Sequence, residues 1–195
     1  TFPLGSWMGE FEVTQREYEK VTGSNPSCFK GDPSRPVEFV SWDEATAFCA
    51  RLTQTEFLAG RLPAGFAYRL PTEAEFEYTC RAGTTNRFSF GDDLNYSQIP
   101  DYAWYSENSG LTSHPVGQKR PNGFGLYDMQ GNVWEWCSDW YLDHYLGGAV
   151  EQPTGPATGQ TRVFRGGGWD YRASTCRSAY RNNVSPSQRR LYVGF

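Results

Sequence analysis

The sequence predicts an α+β fold in which a few short helices and strands are joined by extensive ordered loops. Three capping boxes mark helix starts, and the 21 Gly and 12 Pro residues are numerous enough to place turns along much of the chain. Aromatic residues make up 16% of the sequence, so Trp, Tyr and Phe must supply much of the core. A chain of 195 residues is long enough for one domain, residues 1–195, around a single sizeable core.

Each predicted helix begins with a Ser or Thr that is followed three residues later by Glu. In such a capping box the hydroxyl accepts from the third amide of the helix, and the Glu accepts from the amide of the cap. The boxes begin at Thr14, Ser41 and Thr72. We expect the first helix to end at Gly23 and the third at Gly83, since Gly readily adopts the left-handed closing conformation. The second helix has the clearest buried stripe, made of Ala45, Phe48, Cys49 and Leu52.

Strands are harder to locate than helices. Short apolar runs predict strands at residues 11–13, 66–70 and 162–165. From about residue 88 to 160 no helical or strand period lasts for more than a few residues. The many Trp and Tyr residues in this stretch indicate ordered loops that are packed by their own side chains.

Composition and charge exclude several classes of protein. No apolar run approaches the length of a membrane-spanning helix, and the five cysteines form no CxxC pair that would indicate a zinc site or a dense disulfide scaffold. Cys49 and Cys80 are expected to be buried thiols. Because Thr1 does not open a basic signal peptide, any targeting segment is expected to have been removed or omitted.

The final 34 residues, 162–195, combine two kinds of position. Small or apolar residues suited to a core or a tight turn are Val163, Phe164, Gly166, Gly167, Gly168, Ala173, Cys176, Ala179, Val193 and Phe195. Chemically mixed residues without any period are Asp170, Tyr171, Thr175, Tyr180, Asn182, Asn183, Ser185, Ser187, Leu191 and Tyr192. A tight set of structural positions with an arbitrary remainder favours a display surface over a catalytic centre, which needs particular groups at fixed separations. An irregular strand and loop packed on the body remains the alternative.

This C-terminal region is also basic. It holds seven arginines and one acidic residue, although the whole chain carries a net charge of −4. Such a region attracts anionic partners, or else its arginines pair with carboxylates and aromatic rings for structural reasons. No nucleic-acid partner is expected.

A dense motif at residues 122–140 contains two carboxylates, Asp128 and Glu135, among residues that exclude water. Carboxylates at this spacing are able to share a calcium ion with backbone carbonyls, since calcium takes six to eight oxygen ligands in irregular geometry. The alternative is that they accept hydrogen bonds from loop amides or pair with Arg165 or Arg177.

Three blocks of the chain resemble the formylglycine-generating-enzyme family, also called the sulfatase-modifying-factor family. They are residues 69–78 (RLPTEAEFEY), residues 122–140 (NGFGLY through GNVWEW to DW), and residues 162–181 (RVFRGGGW and RSAYR) with the closing VGF of residues 193–195. The resemblance covers nearly the whole chain. It implies a variant of the C-type lectin fold, with a small twisted antiparallel sheet and flanking helices.

The enzymes of this family are copper-dependent oxidases with two cysteines five positions apart. In the matching stretch this chain has only Cys176, with Tyr171 five residues before it and Arg181 five residues after it. A lone thiol does not offer the paired thiolates that a cuprous ion prefers, so we expect a protein that is not an enzyme and requires no cofactor. The iron-dependent members use histidines, and His114 and His144 are expected to be loop residues.

The C-terminal stretch resembles more closely the variable proteins of diversity-generating retroelements. The matching fixed positions are Arg165, Gly166, Gly167, Trp169, Cys176, Arg177, Ser178, Ala179, Arg181, Pro186, Gly194 and Phe195. Gly168 stands where Ser is common in those proteins, and Gln188 is expected to be fixed. The predicted ligand-binding residues are Trp169, Asp170, Tyr171, Thr175, Tyr180, Asn182, Val184, Arg190, Leu191 and Tyr192.

The resemblance also bears on calcium. It maps one site onto the side chains of Asp128 and Glu135 and the carbonyls of Gly131 and Val133. A second family site expects an Asn where this chain has Trp104, so it is not carried over.

The first hypothesis is therefore a ligand-binding display protein, secreted or lipid-anchored, that recognises an unknown protein or cell-surface ligand. The second is a formylglycine-generating or related thiol-oxidising oxidoreductase in which Cys176 pairs with Cys137, the one plausible second soft ligand. A third is a calcium-dependent lectin, for which residues 151–153 (EQP) only poorly imitate the usual sugar-binding loop.

Overall fold

The computed structural model describes residues 6–144 and 153–195. Its three α-helices, α1 (Gln15–Thr22), α2 (Trp42–Leu58) and α3 (Glu73–Arg81), begin at the three predicted capping boxes, all of which have both hydrogen bonds. As predicted, α1 is closed by Gly23, which has a φ of 83°. Closure of α3 comes one residue earlier than expected, at Ala82, which adopts the left-handed conformation with a φ of 48°. None of the helices in the described residues is both long and apolar enough to cross a membrane.

A four-stranded sheet occupies the second half of the chain. Its strands are β1 (Trp134–Trp140), β2 (Arg162–Arg165), β3 (Asn182–Val184) and β4 (Val193–Gly194), in the spatial order β3-β2-β1-β4. The pairs β1–β2 and β2–β3 are antiparallel, whereas β4 runs parallel to β1. The sheet is therefore mixed and not antiparallel as predicted, because the chain crosses from one sheet edge to the other between β3 and β4.

Only one of the three predicted strands, β2, forms a strand. Residues 11–13 are held by single contacts: the Val13 amide donates to the Phe195 carbonyl over 2.9 Å, and the Val37 amide donates to the Val13 carbonyl over 2.8 Å. In segment 66–70 the Tyr68 amide donates to the Thr53 hydroxyl of α2, 2.9 Å away, and not to a neighbouring strand. The prediction of strands at 11–13 and 66–70 was wrong, because isolated apolar runs do not reveal their hydrogen-bond partners.

The main core lies between the sheet and helices α1 and α2. Phe48 of α2 stacks on Tyr18 of α1 with 5.4 Å between ring centroids, and it meets the edge of Phe195 at 5.2 Å. Trp134 and Phe164 bring the sheet into the same cluster. Of the stripe predicted for α2, Ala45, Phe48 and Cys49 are buried and Leu52 is half-buried.

A buried arginine ties the C-terminal region to α3. The guanidinium of Arg165 is 0% exposed and reaches Glu73 at 2.8 Å, Glu77 at 2.6 Å and the Ser178 carbonyl at 2.6 Å. Arg181 binds the same Glu73 through two hydrogen bonds of 2.5 and 2.7 Å. The structural alternative for the arginines is thus correct for Arg165 and Arg181, whose charges are compensated inside the protein.

At the end of the sheet, Gly194 of β4 lies against the backbone carbonyl of Val37 so closely that a Cβ atom would collide with it. Backbone atoms cannot move aside without disturbing the strand. Position 194 therefore accepts no side chain.

We predict that Glu73→Gln lowers the free energy of unfolding by about 3–5 kcal/mol, because it leaves the buried charge of Arg165 only partly compensated. The measurement is urea denaturation with an unchanged m-value. Glu56→Gln is the matched control: it removes a surface ion pair with Arg61, whose side chain is 62% exposed, and should cost about 1 kcal/mol or less. Equal costs for the two variants would contradict this role of Glu73.

Candidate functional site

The C-terminal region brings three tyrosines together around one buried tryptophan. The ring centroid of Trp134 lies 5.3 Å from Tyr171 and 5.9 Å from Tyr180, and Tyr171 lies 5.3 Å from Tyr192. The three tyrosines are half-buried, so each ring packs on the body while part of it remains accessible to solvent. We call Tyr171, Tyr180 and Tyr192 the aromatic face.

Two of the residues predicted to contact a ligand belong to the scaffold instead. Trp169 is only 8% exposed, and its indole N–H donates to the Leu191 carbonyl over 3.2 Å. Thr175 is 7% exposed, and its hydroxyl donates to the Arg172 carbonyl over 2.8 Å in a short 3₁₀ turn. A contact role for these two side chains is corrected, since their polar atoms are satisfied by the chain itself. Residue type alone did not show which side of the segment they occupy.

The other predicted contact residues lie at or near the surface. Arg190 and Leu191 are exposed, whereas Asn182 and Val184 are half-buried on β3, the edge strand of the sheet. Asp170 is half-buried beside the aromatic face. The structure therefore places this group on solvent-accessible positions of the same C-terminal region.

Asp170 has an unsatisfied carboxylate oxygen. Its Oδ1 is enclosed without a hydrogen-bond partner among the described residues, as is the indole nitrogen of Trp134. Both atoms border Gly168, since a Cβ built there would lie 3.4 Å from Oδ1 and 2.9 Å from Nε1. Burial raises the pKa of Asp170 to about 6.

The sequence did not predict that Phe29, in a loop far from the C-terminal region, packs against that region. The ring of Phe29 meets Trp169 edge-on at 5.2 Å. The loop is held by the fully buried Glu38, whose Oε1 accepts from the amides of Cys28 at 2.5 Å and Phe29 at 2.9 Å. No local pattern in the sequence marks Phe29, because its partner lies 140 residues further along the chain.

On the other side of β1 lies a buried acidic group. Asp128 is 3% exposed and Glu135 is 8% exposed, as predicted for a site that excludes water. A third carboxylate, Glu12, which sequence reasoning did not single out, accepts from the side chain of Asn132 at 2.6 Å and from the amide of Val133 at 3.0 Å. We call Glu12, Asp128 and Glu135 the acidic group.

Burial and repulsion between the carboxylates raise the pKa values of the acidic group. Burial, followed by the charge of Asp128, raises the pKa of Glu135 to about 8. The pKa of Asp128 is raised by burial to about 6, and that of Glu12 is raised by burial and then by the two other carboxyls. Asp128 accepts from the Gly117 amide at 2.7 Å through Oδ2, while its Oδ1 is enclosed without a partner among residues 6–144 and 153–195.

Two alternatives were predicted for Asp128 and Glu135: pairing with an arginine, and hydrogen bonding to loop amides. Glu135 lies opposite Arg165 in the β1–β2 pair, and the guanidinium of Arg165 binds Glu73 and Glu77. Arg177 Nε donates to the Ser174 carbonyl. Hydrogen bonding to a loop amide holds for one oxygen of Asp128 only. Within the described part of the chain, no three His, Cys, Asp or Glu side chains are arranged to hold a metal ion by themselves. A calcium ion here would therefore need the carbonyl ligands as well.

Trp104, which stands where the second family site expects an Asn, is covered by a cation of the chain itself. The ammonium of Lys119 lies 3.8 Å above the ring of Trp104, which stacks on His114 at 3.7 Å. Lys119 also donates to the Pro100 carbonyl over 2.6 Å. His114 and His144 lie in loops, as predicted.

The cysteine of the stretch that binds metal in the family's enzymes, Cys176, lies in the protein interior. Cys176 is fully buried, and burial raises its pKa to about 12, which opposes thiolate formation. The thiol that acts on it electrostatically is that of Cys80, which belongs to the same cluster as the predicted partner Cys137, together with Phe76 and Val163. The pairing of Cys176 with Cys137 stays a prediction. Cys49 and Cys80 are buried free thiols, as predicted.

Residues 151 and 152 of the EQP sequence lie outside the described residues.

Together, the mixed sheet, the three helices and the long ordered loops define a protein with a C-type-lectin-like scaffold. The chain belongs to the sulfatase-modifying factor enzyme 1-like domain family, whose model matches residues 4–195. The fold class and the family predicted from the sequence are thus confirmed.

Known proteins similar to this chain include formylglycine-generating enzymes and a variable protein. Formylglycine-generating enzymes from Streptomyces coelicolor and Bos taurus are each 37% identical to it, over 98% and 84% of the chain. The matches cover 62% and 43% of those proteins, so the chain spans about half the length of these relatives. The solved structure of Treponema denticola variable protein 1 matches with a TM-score of 0.84 and 36% identity, covering 94% of this chain and 80% of that one.

These comparisons confirm one expectation and overturn another. The predicted likeness to a variable protein is confirmed by the structural match. The expectation that the chain is not an enzyme is contradicted, because relatives named as formylglycine-generating enzymes place it in an enzyme family. The missing second cysteine was too narrow a criterion for that conclusion.

We predict that Asp170 makes stability depend on pH. Its folded pKa of about 6 exceeds the ordinary value of about 3.9, so the folded state holds the proton more tightly. Its contribution is complete below pH 4 and is lost as the pH rises through 6. Relative to wild type, Asp170→Asn should gain about 1 kcal/mol between pH 4 and pH 7, a value reduced to allow for its partial exposure.

Urea unfolding at several pH values measures this difference. Glu107→Gln, which removes an exposed carboxylate, is the control and should run parallel to wild type. If the free energy of unfolding of Asp170→Asn also ran parallel to that of wild type across pH, the carboxyl of Asp170 would have the same pKa in the folded and unfolded states.

Proposed function

We propose that this protein is a ligand-binding display protein in which residues 162–195 present a binding surface on a rigid scaffold. The observation that carries the proposal is the gathering of Tyr171, Tyr180 and Tyr192 around Trp134. Tyrosine offers a large contact area at low conformational cost, and such side chains dominate many binding surfaces. The match to a variable protein supports the same function.

The scaffold has the rigidity that such a surface requires. Arg165 and Arg181 anchor both sides of the segment to Glu73, while Trp169 is buried beneath it. Asp170, Arg190 and Leu191 lie at accessible positions and add polar or apolar selectivity. Changes at such positions leave the buried anchors intact, which suits a surface that is diversified by a retroelement.

The proposed ligand is a protein or another cell-surface molecule outside the cell, met by a secreted or lipid-anchored form of this protein. Diversification has its own test at the DNA level. A near-copy of the final hundred or so bases that differs only at adenines, next to a reverse-transcriptase gene, is the expected arrangement. Flanking DNA without such a copy would contradict the proposal that a retroelement diversifies this protein.

The display function predicts that the surface tolerates wholesale exchange. A library randomised at Asp170, Tyr171, Tyr180, Leu191 and Tyr192 should keep most members folded, with losses of about 1–2 kcal/mol, because these side chains are exposed or half-buried. Thermal unfolding of random members checks folding, and display selection against hen lysozyme checks binding.

The control library randomises five exposed positions on α2: Ala47, Arg51, Gln54, Thr55 and Leu58. It should fold equally well and yield fewer binders, since no buried aromatic platform underlies it. Unfolding of most members of the first library would show that the aromatic face is core, and would end the proposal.

We also propose that the acidic group holds calcium through the side chains of Asp128 and Glu135 and the carbonyls of Gly131 and Val133. Support comes from the enclosed, unpaired oxygen of Asp128 and from the raised pKa values of the buried carboxyls. A bound divalent cation would compensate their charge and fix the loop that leads into β1.

Calcium should therefore stabilise the protein. At a hundred times its dissociation constant it adds about 2.7 kcal/mol, or about 5–10 °C in Tm for a domain of this size. Differential scanning fluorimetry with and without chelator measures the shift. Asp128→Asn and Glu135→Gln should each abolish it, whereas Glu107→Gln should retain it; absence of any shift in wild type would refute the site.

The activity named for the sequence relatives is a second candidate function, favoured by 37% identity over 98% of the chain. It would convert the CH2–SH group of a substrate cysteine to an aldehyde, releasing hydrogen sulfide, with one atom of O2 entering the aldehyde and the other reduced to water by an added thiol reductant. Incubation with cuprous ion and a sulfatase-type peptide, followed by aldehyde detection, tests it directly. Cys176→Ser is the control, since activity that survives this change would not come from the one cysteine of the C-terminal region.

A further inference from the structure

A groove of about 610 Å³ lies between α2 and residues 67–70, with the ends of β1 and β2 as its floor. Its walls are largely apolar and include Cys49, Ala50, Ala67 and Leu70. None of the tyrosines of the aromatic face lines it, and neither does any member of the acidic group. The volume is within the range of about 300–1,000 Å³ that is typical of small-molecule sites.

One cationic side chain on the groove floor is held rigidly. The guanidinium of Arg162 lies between two tryptophans, 3.8 Å from the ring centroid of Trp42 and 3.5 Å from that of Trp140. Its Nη1 donates to the Ser138 carbonyl over 2.6 Å. Such stacking on both faces fixes the plane of the guanidinium and leaves only its edge for further hydrogen bonds.

That edge is not saturated by the protein. Among the described residues no carboxylate lies within ion-pair distance of Arg162. Its Nε is enclosed without an acceptor, so Nη2 is the group on this edge that is left for a ligand. Asp43 and Asp139 act on it from farther away. Oδ2 of Asp139 accepts hydrogen bonds from the Glu73 amide and the Ser138 hydroxyl.

The other polar groups of the groove are satisfied or neutral. Arg69, which also lines it, makes a two-pronged ion pair with Glu75. The Thr53 hydroxyl donates to the Cys49 carbonyl over 2.8 Å, and burial raises the pKa of the Cys49 thiol to about 11, which keeps it neutral. The groove thus offers a stacked guanidinium at its floor and largely apolar walls, with the ion-paired Arg69 also in its lining.

We infer that this groove binds a small amphipathic carboxylate, with the carboxylate on the edge of Arg162 and the hydrocarbon part along Cys49, Ala50 and Leu70. A planar guanidinium suits a carboxylate, and the apolar walls favour a monoanion with a hydrocarbon tail over a hydrophilic anion such as phosphate. This site is separate from the proposed display surface and does not depend on it.

The experiment titrates the full chain with sodium decanoate and follows tryptophan fluorescence, since Trp42 and Trp140 flank Arg162. Decanoate should bind, whereas decyltrimethylammonium and inorganic phosphate should not. Arg162→Gln should weaken decanoate binding about tenfold or more, and Arg162→Lys should weaken it less. Ala50→Phe, which fills the groove, should block binding while Arg162 remains in place.

Arg51→Gln is the matched control, because it removes an exposed charge from the same helix and should leave binding unchanged. Thermal unfolding of each variant establishes that it is folded. Unchanged decanoate affinity in folded Arg162→Gln, or equal affinity for the decyl cation, would overturn the inference.

Discussion

The buried guanidinium of Arg165 is the constraint on which the rest of this structure depends. With no contact to water it must find its acceptors inside the protein, and it does so on Glu73, Glu77 and the Ser178 carbonyl. These contacts fix the distance between α3, β2 and the residues after Cys176. The aromatic face is built over a segment whose two flanks are anchored in this way.

Strand β1 carries both Trp134, which underlies the aromatic face, and Glu135 of the acidic group. Side chains alternate along β1, so Trp134 points into the main core beneath the tyrosines while Glu135 points to the opposite side. Val133, just before the strand, donates its amide to Glu12. A cation bound to the acidic group would thus fix the same stretch of backbone that carries the platform of the aromatic face.

The features predicted correctly from the sequence depend on local hydrogen bonds, whereas the features it did not predict depend on contacts between distant residues. Capping boxes located all three helices because their hydrogen bonds close within four residues. β1 escaped notice because it is buried on both faces and lacks alternation. Glu12 is 120 residues from Asn132, and Phe29 is 140 from Trp169, so neither contact has a local signature. The burial of Trp169 and Thr175 likewise followed from packing that no residue type encodes.

The tight approach of Gly194 to the Val37 carbonyl has an evolutionary consequence. Any process that rewrites the codons of residues 162–195 meets a steric limit at position 194, since a side chain there would collide with the Val37 carbonyl. Steric contact thereby limits the positions at which inherited sequence changes are tolerated. A variant with a side chain at position 194 would lose the folded protein before selection could act on its ligand recognition.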